Sequence, residues 1–312
     1  MIEAWYLPRC KAGETMIKTG CCGYPVGRKK YQETFRLVEI NRTFYKIPKI
    51  STVIKWRKEA PAEFEFTVKA HQDISHKYKL KLEDAFKAFE AMKPICRNLE
   101  AKILLIQTPA SFRPDRLKDA EDFFKSIRRE ELTVVWETRG PSWETEETRE
   151  RLKRLLESLD VPHVTDPFRS LPVYSGSIAY LRLHGSGSRM YYYQYTDEEL
   201  SELHRIVESL ESGGREVYVL FNNLSMFEDA SRFLSLIETG RFPHLTLRGT
   251  GSIRVLLSRM KYPAAKSAIV KRIGWRLIEL DGQKQVRLED LLREIPSRTY
   301  KSAEEILKEL TI

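Results

Sequence analysis

Four charged side chains interrupt runs that are otherwise apolar and β-prone: Glu39 in LVEIN (37–41), Lys69 closing FEFTVK (64–69), Glu137 closing LTVVWE (132–137) and Arg182 in IAYLRL (178–183). A charge in such a run needs a partner or a task, because burying it unpaired is strongly unfavourable. A carboxylate held among cations can position or deprotonate a water, and fixed cations stabilise developing negative charge. Glu39, Glu137, Lys69 and His184 are therefore the candidate catalytic residues. Asn41, Tyr45, His76, Arg139, Trp143, Arg182, Asn222 and Asn223 stand at or just beyond the ends of the same runs and are the candidate substrate-binding residues. Lys69, Arg139, Arg182 and His184 suit phosphate oxygens, and Asn41, Asn222 and Asn223 would orient a ligand. Internal salt bridges are the competing explanation for the charges. The aromatic residues Tyr24, Tyr45, Trp143, Tyr191, Tyr192, Tyr193 and Tyr195 could stack on bases or could simply cover the site.

A divalent metal is a weaker reading. Its ligands would come from Glu39, His71, His76, Glu137, Asp166 and His184, but no HxH or HExxH spacing occurs and the basic neighbours would repel a cation. His163, His204 and His244 read as loop or helix residues. The four cysteines, Cys10, Cys21, Cys22 and Cys96, show no CxxC spacing, so reduced, structural thiols are expected and a zinc finger is excluded.

The elements that must hold these residues follow from periodicity. Eight β-runs alternate with amphipathic stretches: 16–22, 37–41, 64–69, 102–107, 132–137, 161–165, 178–183 and 215–221. Helical patterns lie near 29–35, 51–59, 82–98, 115–130, 144–158, 197–212 and 225–238. Alternation of this length predicts a TIM-type (β/α)8 barrel over residues 16–242, with its site at the C-terminal strand ends. Residues 166–177, rich in Pro, Gly and Ser, are too short for a regular sixth helix. A doubly wound open sheet is the alternative, but no GxGxxG turn recommends it. The N-terminal ends of the runs, such as Lys102 and Arg215, look like bland surface.

Residues 243–312 read as a small basic α+β appendage: a helix at 264–273, strands at 275–280 and 285–288 across an Asp281-Gly282 turn, and a last helix capped by Ser302 with Glu305 three positions on. Residues 1–15 fall outside the rhythm and are expected to be an N-terminal extension from an upstream start codon.

The chain has 312 residues with 53 Lys+Arg against 44 Asp+Glu, a formal charge of +9. Residues 239–278 hold nine basic residues and no acid, so the whole excess sits there. Within it Arg254, Arg259, Lys261, Lys266, Lys271 and Arg272 are the candidate nucleic-acid-binding residues, with Tyr262 and Trp275 interleaved. Neutralisation by acidic barrel helices, such as residues 144–150, is the competing explanation. The sequence shows no stretch of about 18 apolar residues and no secretory leader pattern, so a cytoplasmic protein with no membrane partner is expected; the oligomeric state stays open.

The runs TGCCGYP (19–25), VEINRTFYKIP (38–48), FTVKAHQDISH (66–76), WETRGPSW (136–143), YLRLHG (180–185) and LFNN (220–223), in this order, resemble the family known as domain of unknown function 72, or YecE-like proteins. The likeness spans roughly residues 16–238. It implies a TIM-type barrel and singles out Gly20, Gly23, Glu39, Asn41, Thr43, Phe44, Tyr45, Lys69, His76, Glu137, Arg139, Trp143, Arg182, His184, Gly185, Asn222 and Asn223, without implying a reaction. Cys21-Cys22 departs from the family, where small hydroxyl residues are usual, and the basic C-terminal region lies outside it. Two functions remain in view. One is a hydrolase, of phosphodiesterase or nuclease type, acting on a phosphate-containing small molecule or nucleic acid at the barrel mouth. The other is a non-catalytic nucleic-acid-binding protein working through residues 239–278.

Overall fold

Runs of Val, Ile, Leu and Phe with no polar alternation are what a strand buried on both faces requires. In the computed structural model, which describes residues 16–280 and 284–310, eight such strands run parallel. They are β1 (Ile17–Cys22), β2 (Leu37–Ile40), β3 (Glu65–Lys69), β4 (Ile103–Gln107), β5 (Thr133–Glu137), β6 (His163–Val164), β7 (Ile178–Leu183) and β8 (Glu216–Phe221). Their order is β6-β5-β4-β3-β2-β1-β8-β7, and the parallel bridge Thr165–Leu181 with the Arg182 N–H donating to the Thr165 carbonyl (2.9 Å) joins the two ends. The sheet is thus a nearly closed barrel with helices between the strands, as the alternation predicts.

The helices are α1 (Arg28–Thr34), α2 (Arg42–Tyr45), α3 (Ile50–Glu59), α4 (Leu82–Glu90), α5 (Lys93–Leu99), α6 (Leu117–Ser126), α7 (Glu146–Leu159), α8 (Asp197–Glu211) and α9 (Met226–Thr239). The single pattern expected at 82–98 is two helices. Pro94, near the start of α5, has no N–H to return to the preceding turn, so the chain breaks and restarts there. Helix α8 begins with a full capping box, the Thr196 hydroxyl taking the Glu199 N–H and the Glu199 carboxylate taking the Thr196 N–H. No helix follows β6.

Alternation across the strands builds the barrel interior from Cys22, Leu37, Ile103, Leu105, Val135, Val164, Ile178, Tyr180, Tyr218 and Leu220. Their outward neighbours, among them Val38, Phe66, Leu104, Ile106, Val134, Trp136 and Leu181, pack under the helices. Glycine is needed at two family positions. A Cβ on Gly20 would lie 2.3 Å from the Leu37 carbonyl oxygen, and Gly185 has φ +89 with the Tyr193 Cβ at 2.3 Å from its own would-be Cβ.

The N-terminal rim is not bland. The Lys18 ammonium bonds Glu65 (2.7 Å) and Glu216 (3.1 Å) and lies 4.8 Å from the centre of the Tyr218 ring, closing the bottom of the barrel with a charged plug.

Beyond α9 come α10 (Gly249–Ser258), β9 (Ala264–Ala265), α11 (Lys266–Ile273), β10 (Leu277–Glu279), β11 (Gln285–Arg287), α12 (Leu288–Arg293), β12 (Thr299–Tyr300) and α13 (Ala303–Glu309). Strands β10 and β11 pair antiparallel, and the Ser302 hydroxyl accepts the Glu305 N–H as the cap of α13. Their buried side chains, including Ile253, Leu257, Ile278, Leu288, Tyr300 and Ile306, form a second hydrophobic cluster. The Asp281-Gly282 turn and residues 1–15 lie outside the described residues. Among the described residues no helix is long and apolar enough to cross a membrane.

Candidate functional site

The period of two that sends Val135 and Tyr180 into the barrel sends Glu137 and Arg182 into it as well, one layer nearer the C-terminal mouth. Arg182 is fully buried. Its guanidinium donates to Glu137 Oε2 at 2.5 Å and to Glu39 Oε1 at 2.8 Å. The Tyr180 hydroxyl donates to the other Glu39 oxygen at 2.9 Å and is 2.8 Å from the Thr67 hydroxyl. Every oxygen of Glu39 is therefore used, and neither Glu39 nor Arg182 reaches solvent. The Cys22 thiol lies against the same pair, where burial keeps it protonated.

One step outward, Arg139 Nε stands 2.5 Å from Glu137 Oε1. Burial alone would raise the Glu137 pKa, but Arg139, Arg182, His184 and Lys69 outweigh it and hold the carboxyl well below the usual carboxylate range. Glu137 is thus a fixed negative charge and a poor proton acceptor. His184 is the better base. Its pKa is lowered chiefly by burial, against the opposing pull of Asp166. Arg139 Nη2 lies 2.7 Å from His184 Nε2, and since a guanidinium can only donate, Nε2 carries the lone pair. The proton then sits on Nδ1, 3.5 Å from Asp166 Oδ2, an oxygen that also takes the His184 N–H at 2.8 Å.

Lys69 donates to Gln107 Oε1 (2.7 Å) and covers the Phe44 ring at 4.2 Å. Burial, aided by Arg182 and opposed by Glu137 and Glu39, lowers its pKa to about 8. His76 packs edge-on against the same Phe44 ring at 4.9 Å, its pKa lowered by partial burial and by the nearby Lys69 and Arg139. Asn41 donates to the Cys22 carbonyl (3.0 Å), tying the β1 and β2 ends together.

Of the other expected residues, Trp143 lines a pocket at the mouth, and the rest take up other places. Tyr45 is 72% exposed on α2. Trp143 is buried, stacked on Phe112, and donates to the Phe112 carbonyl at 3.0 Å. Asn223 is buried and holds the Tyr193 carbonyl (2.8 Å) and Asp229 (2.6 Å), a scaffold for the loop after β7. Asn222 directly follows β8, its N–H donating to the Leu183 carbonyl (2.8 Å). Of the tyrosines, Tyr193 and Tyr195 are buried, whereas Tyr191 is 38% exposed beside His184 at a ring separation of 5.9 Å. Contrary to the loop or helix expected of it, His163 belongs to β6 and is buried.

Two residues that strand reasoning misses complete the mouth. A small pocket between the ends of β5, β6 and β7 is lined by Arg139, His184, Trp143 and Ser170, by the carboxylates Glu137, Glu144 and Asp166, and also by Arg149 and Arg169. Arg149 comes from the first turns of α7 and donates to the Leu171 carbonyl (3.0 Å); Arg169 is exposed. Neither has a carboxylate within 4.0 Å among the described residues. The pocket's free volume of about 60 Å³ fits one compact anion and little more. The hint in the sequence was the irregular DPFRS stretch (166–170), which had to cross the mouth because no helix carried it away. Among the described residues, no group of three or more His, Cys, Asp or Glu is arranged to hold a metal ion.

In the basic segment, Arg254 meets Glu304 (3.4 Å) and the Lys266 ammonium takes the carbonyls of Arg293 and Ile295. Arg259, Lys261, Lys271 and Arg272 are exposed and have no carboxylate within 4.0 Å among the described residues. The ion pairs the segment does make go to Glu228, Glu279 and Glu304, not to residues 144–150.

A family model described as "Protein of unknown function DUF72" matches residues 26–243. The UPF0759 protein YunF of Bacillus subtilis (strain 168) is 24% identical over 241 residues, 67% of this chain and 84% of that protein. The UPF0759 protein YecE of Escherichia coli (strain K12) is 32% identical over 101 residues, 32% of this chain and 36% of that protein. Among solved structures, a DUF72 family protein from Enterococcus faecalis V583 superposes with a TM-score of 0.61 at 22% identity, covering 72% of this chain and 98% of that one. Another from Thermotoga maritima MSB8 gives 0.56 at 23% identity, covering 72% and 99%. The family match ends just before α10, so the second hydrophobic cluster lies beyond it.

Proposed function

The chain belongs to the DUF72 family of unknown function, and from the site itself we propose that it binds a phosphate-containing ligand at the barrel mouth, with His184 as the base that activates a water against it. The observation that carries this reading is the pair of guanidiniums, Arg149 and Arg169, without carboxylate partners in the pocket that holds His184 and Arg139. Guanidiniums match phosphate oxygens in a planar, charge-assisted way. Arg139 caps the His184 lone pair in the free protein. An anion that drew Arg139 onto itself would uncover Nε2 beside the bound group, and Asp166 would steady the imidazolium that follows proton uptake.

The test is calorimetric titration with inorganic phosphate and a nucleoside monophosphate. Arg169→Ala and Arg149→Ala should each weaken binding about ten- to a hundredfold, the range of a charge-assisted hydrogen bond, with the urea midpoint moved little for the exposed Arg169. His184→Gln should keep phosphate binding and lose about 10²–10⁴-fold of any phosphoester hydrolysis. Absence of phosphate binding, or binding indifferent to both arginine variants, would sink the reading.

A second reading, nucleic-acid binding by residues 239–278, is favoured by one observation of its own: the exposed Arg259, Lys261, Lys271 and Arg272 lack carboxylate partners among the described residues. Such cations give salt-dependent phosphate affinity without sequence reading.

A further inference from the structure

The loop after β7 faces two ways. Met190 Sδ accepts from Arg139 (3.6 Å) and Tyr191 packs against His184, both at the mouth. Their immediate neighbours Arg189 and Tyr192 turn instead to the C-terminal elements, where the Arg189 guanidinium donates to the Lys271 carbonyl (3.0 Å) and lies 3.2 Å from the centre of the Tyr192 ring. Tyr192 meets Trp275 edge-on at 6.2 Å, and the Arg276 guanidinium is 5.1 Å from the Trp275 ring. Between these rings and α11 runs a groove of about 380 Å³, open to solvent and lined by Arg189, Tyr192, Lys271, Trp275, Arg287 and Glu289, within the size range of sites for small organic groups.

We propose that this groove binds a single-stranded nucleic acid, one base stacking on one of the perpendicular Tyr192 and Trp275 rings with the other ring against its edge, while Lys271 and Arg272 take the flanking phosphates, and that the strand continues along the loop to the mouth. Three features favour that ligand. Tyr192 and Trp275 are only partly buried, so ring surface remains for a base. The cations beside them, Lys271 and Arg272, have no carboxylate within 4.0 Å among the described residues, although Glu289 also lines the groove. Stacking needs an unpaired base, which a duplex does not offer. An acidic peptide would use the cations and leave the rings idle. The path to the mouth rests on the mouth being a phosphate site; the stacking groove does not.

The experiment measures fluorescence anisotropy of labelled dT12, rU12 and an abasic phosphodiester 12-mer with the full chain, at about 50 mM salt and upward. The two base-bearing strands should bind, with Tyr192→Leu and Trp275→Leu each weakening affinity about tenfold, within the range for one base stack. Lys271→Ala should lower the slope of log K against log salt by about 0.7, one phosphate contact on a single strand. Unchanged thermal melting identifies the ring variants that fold. A preference for dT12 or for rU12 assigns the strand as DNA or RNA. No binding of either strand, equal binding of the abasic 12-mer, or indifference to folded ring variants overturns the proposal. Should Arg169→Ala leave phosphate and strand binding untouched while the ring variants still weaken the strand, the groove stands and the mouth reading falls.

Discussion

Arg182 carries a charge that water does not reach, and its two carboxylate partners come from strands far apart in the chain. Removing one partner of a buried pair leaves an uncompensated charge, which costs about 3–5 kcal/mol. Glu39→Gln keeps the shape but removes the charge and turns one of the two acceptor oxygens, which take Arg182 and the Tyr180 hydroxyl, into an NH2 donor, so a loss of that size is expected in urea unfolding. Arg169→Ala, at the exposed edge of the same mouth, should stay within about 0.5 kcal/mol of the parent. The contrast separates the two explanations for charges inside apolar runs. Glu39 and Arg182 behave as the internal salt bridge, every Glu39 oxygen being occupied, whereas Arg139, Arg149, Arg169 and His184 face the pocket. A stability change at Arg169 as large as at Glu39 would undo that division.

Strand β6 has two residues, and the segment after it spans the mouth with no helix. His163 pins both. Its backbone N–H bonds the Tyr174 carbonyl (2.8 Å), its Nδ1 accepts the Val173 N–H (3.3 Å), and Nε2 is 3.1 Å from the Thr138 hydroxyl. Protonating Nδ1 would set N–H against N–H. Burial, with a lesser contribution from Arg149, lowers its pKa to about 3. The unfolded chain, with an ordinary histidine near 6.5, therefore binds the proton first as pH falls. The stability His163 contributes is complete above about pH 6.5 and is lost progressively below it, by about 2 kcal/mol between pH 7 and pH 5. His163→Gln should flatten that part of the pH dependence; if urea midpoints at pH 7 and pH 5 separate as far in the variant as in the parent, His163 is not the group responsible. The same element shows where sequence reading stopped. Strands such as residues 178–183 were legible because burial on both faces leaves continuous apolar runs. The inward phase of Glu137 and Arg182 follows from the period of two. His163 falls inside the run expected at 161–165, but its burial escapes the sequence because a strand of two residues does not fix which way each side chain faces. Arg149 and Arg169 were missed because a loop's course over the mouth is fixed by tertiary closure, and the Lys18–Glu65–Glu216 plug because single charges at strand starts look like surface.

At the scale of the molecule, a set of polar groups bridges the elements that carry the two hydrophobic clusters. The buried Gln194, in the loop after β7, is the joint. Its Oε1 accepts the Leu277 N–H of β10 (3.1 Å), its Nε2 donates to Glu228 of α9 (3.1 Å), and its carbonyl accepts Arg287 (3.0 Å). Glu279 supports it from the other side by taking the Leu245 N–H (2.8 Å). The loop that would pass a ligand from mouth to groove is thus the loop that fixes the C-terminal elements to the barrel. Gln194→Ala leaves the Leu277 N–H buried without its acceptor, an effect of about 1–3 kcal/mol. Because the loss falls at the joint, it should appear as faster amide exchange across β10, α11 and α12 while the barrel strands keep their protection. Uniformly faster exchange in both clusters would mean instead that barrel and C-terminal elements open as one unit, with Gln194 only one contact among many.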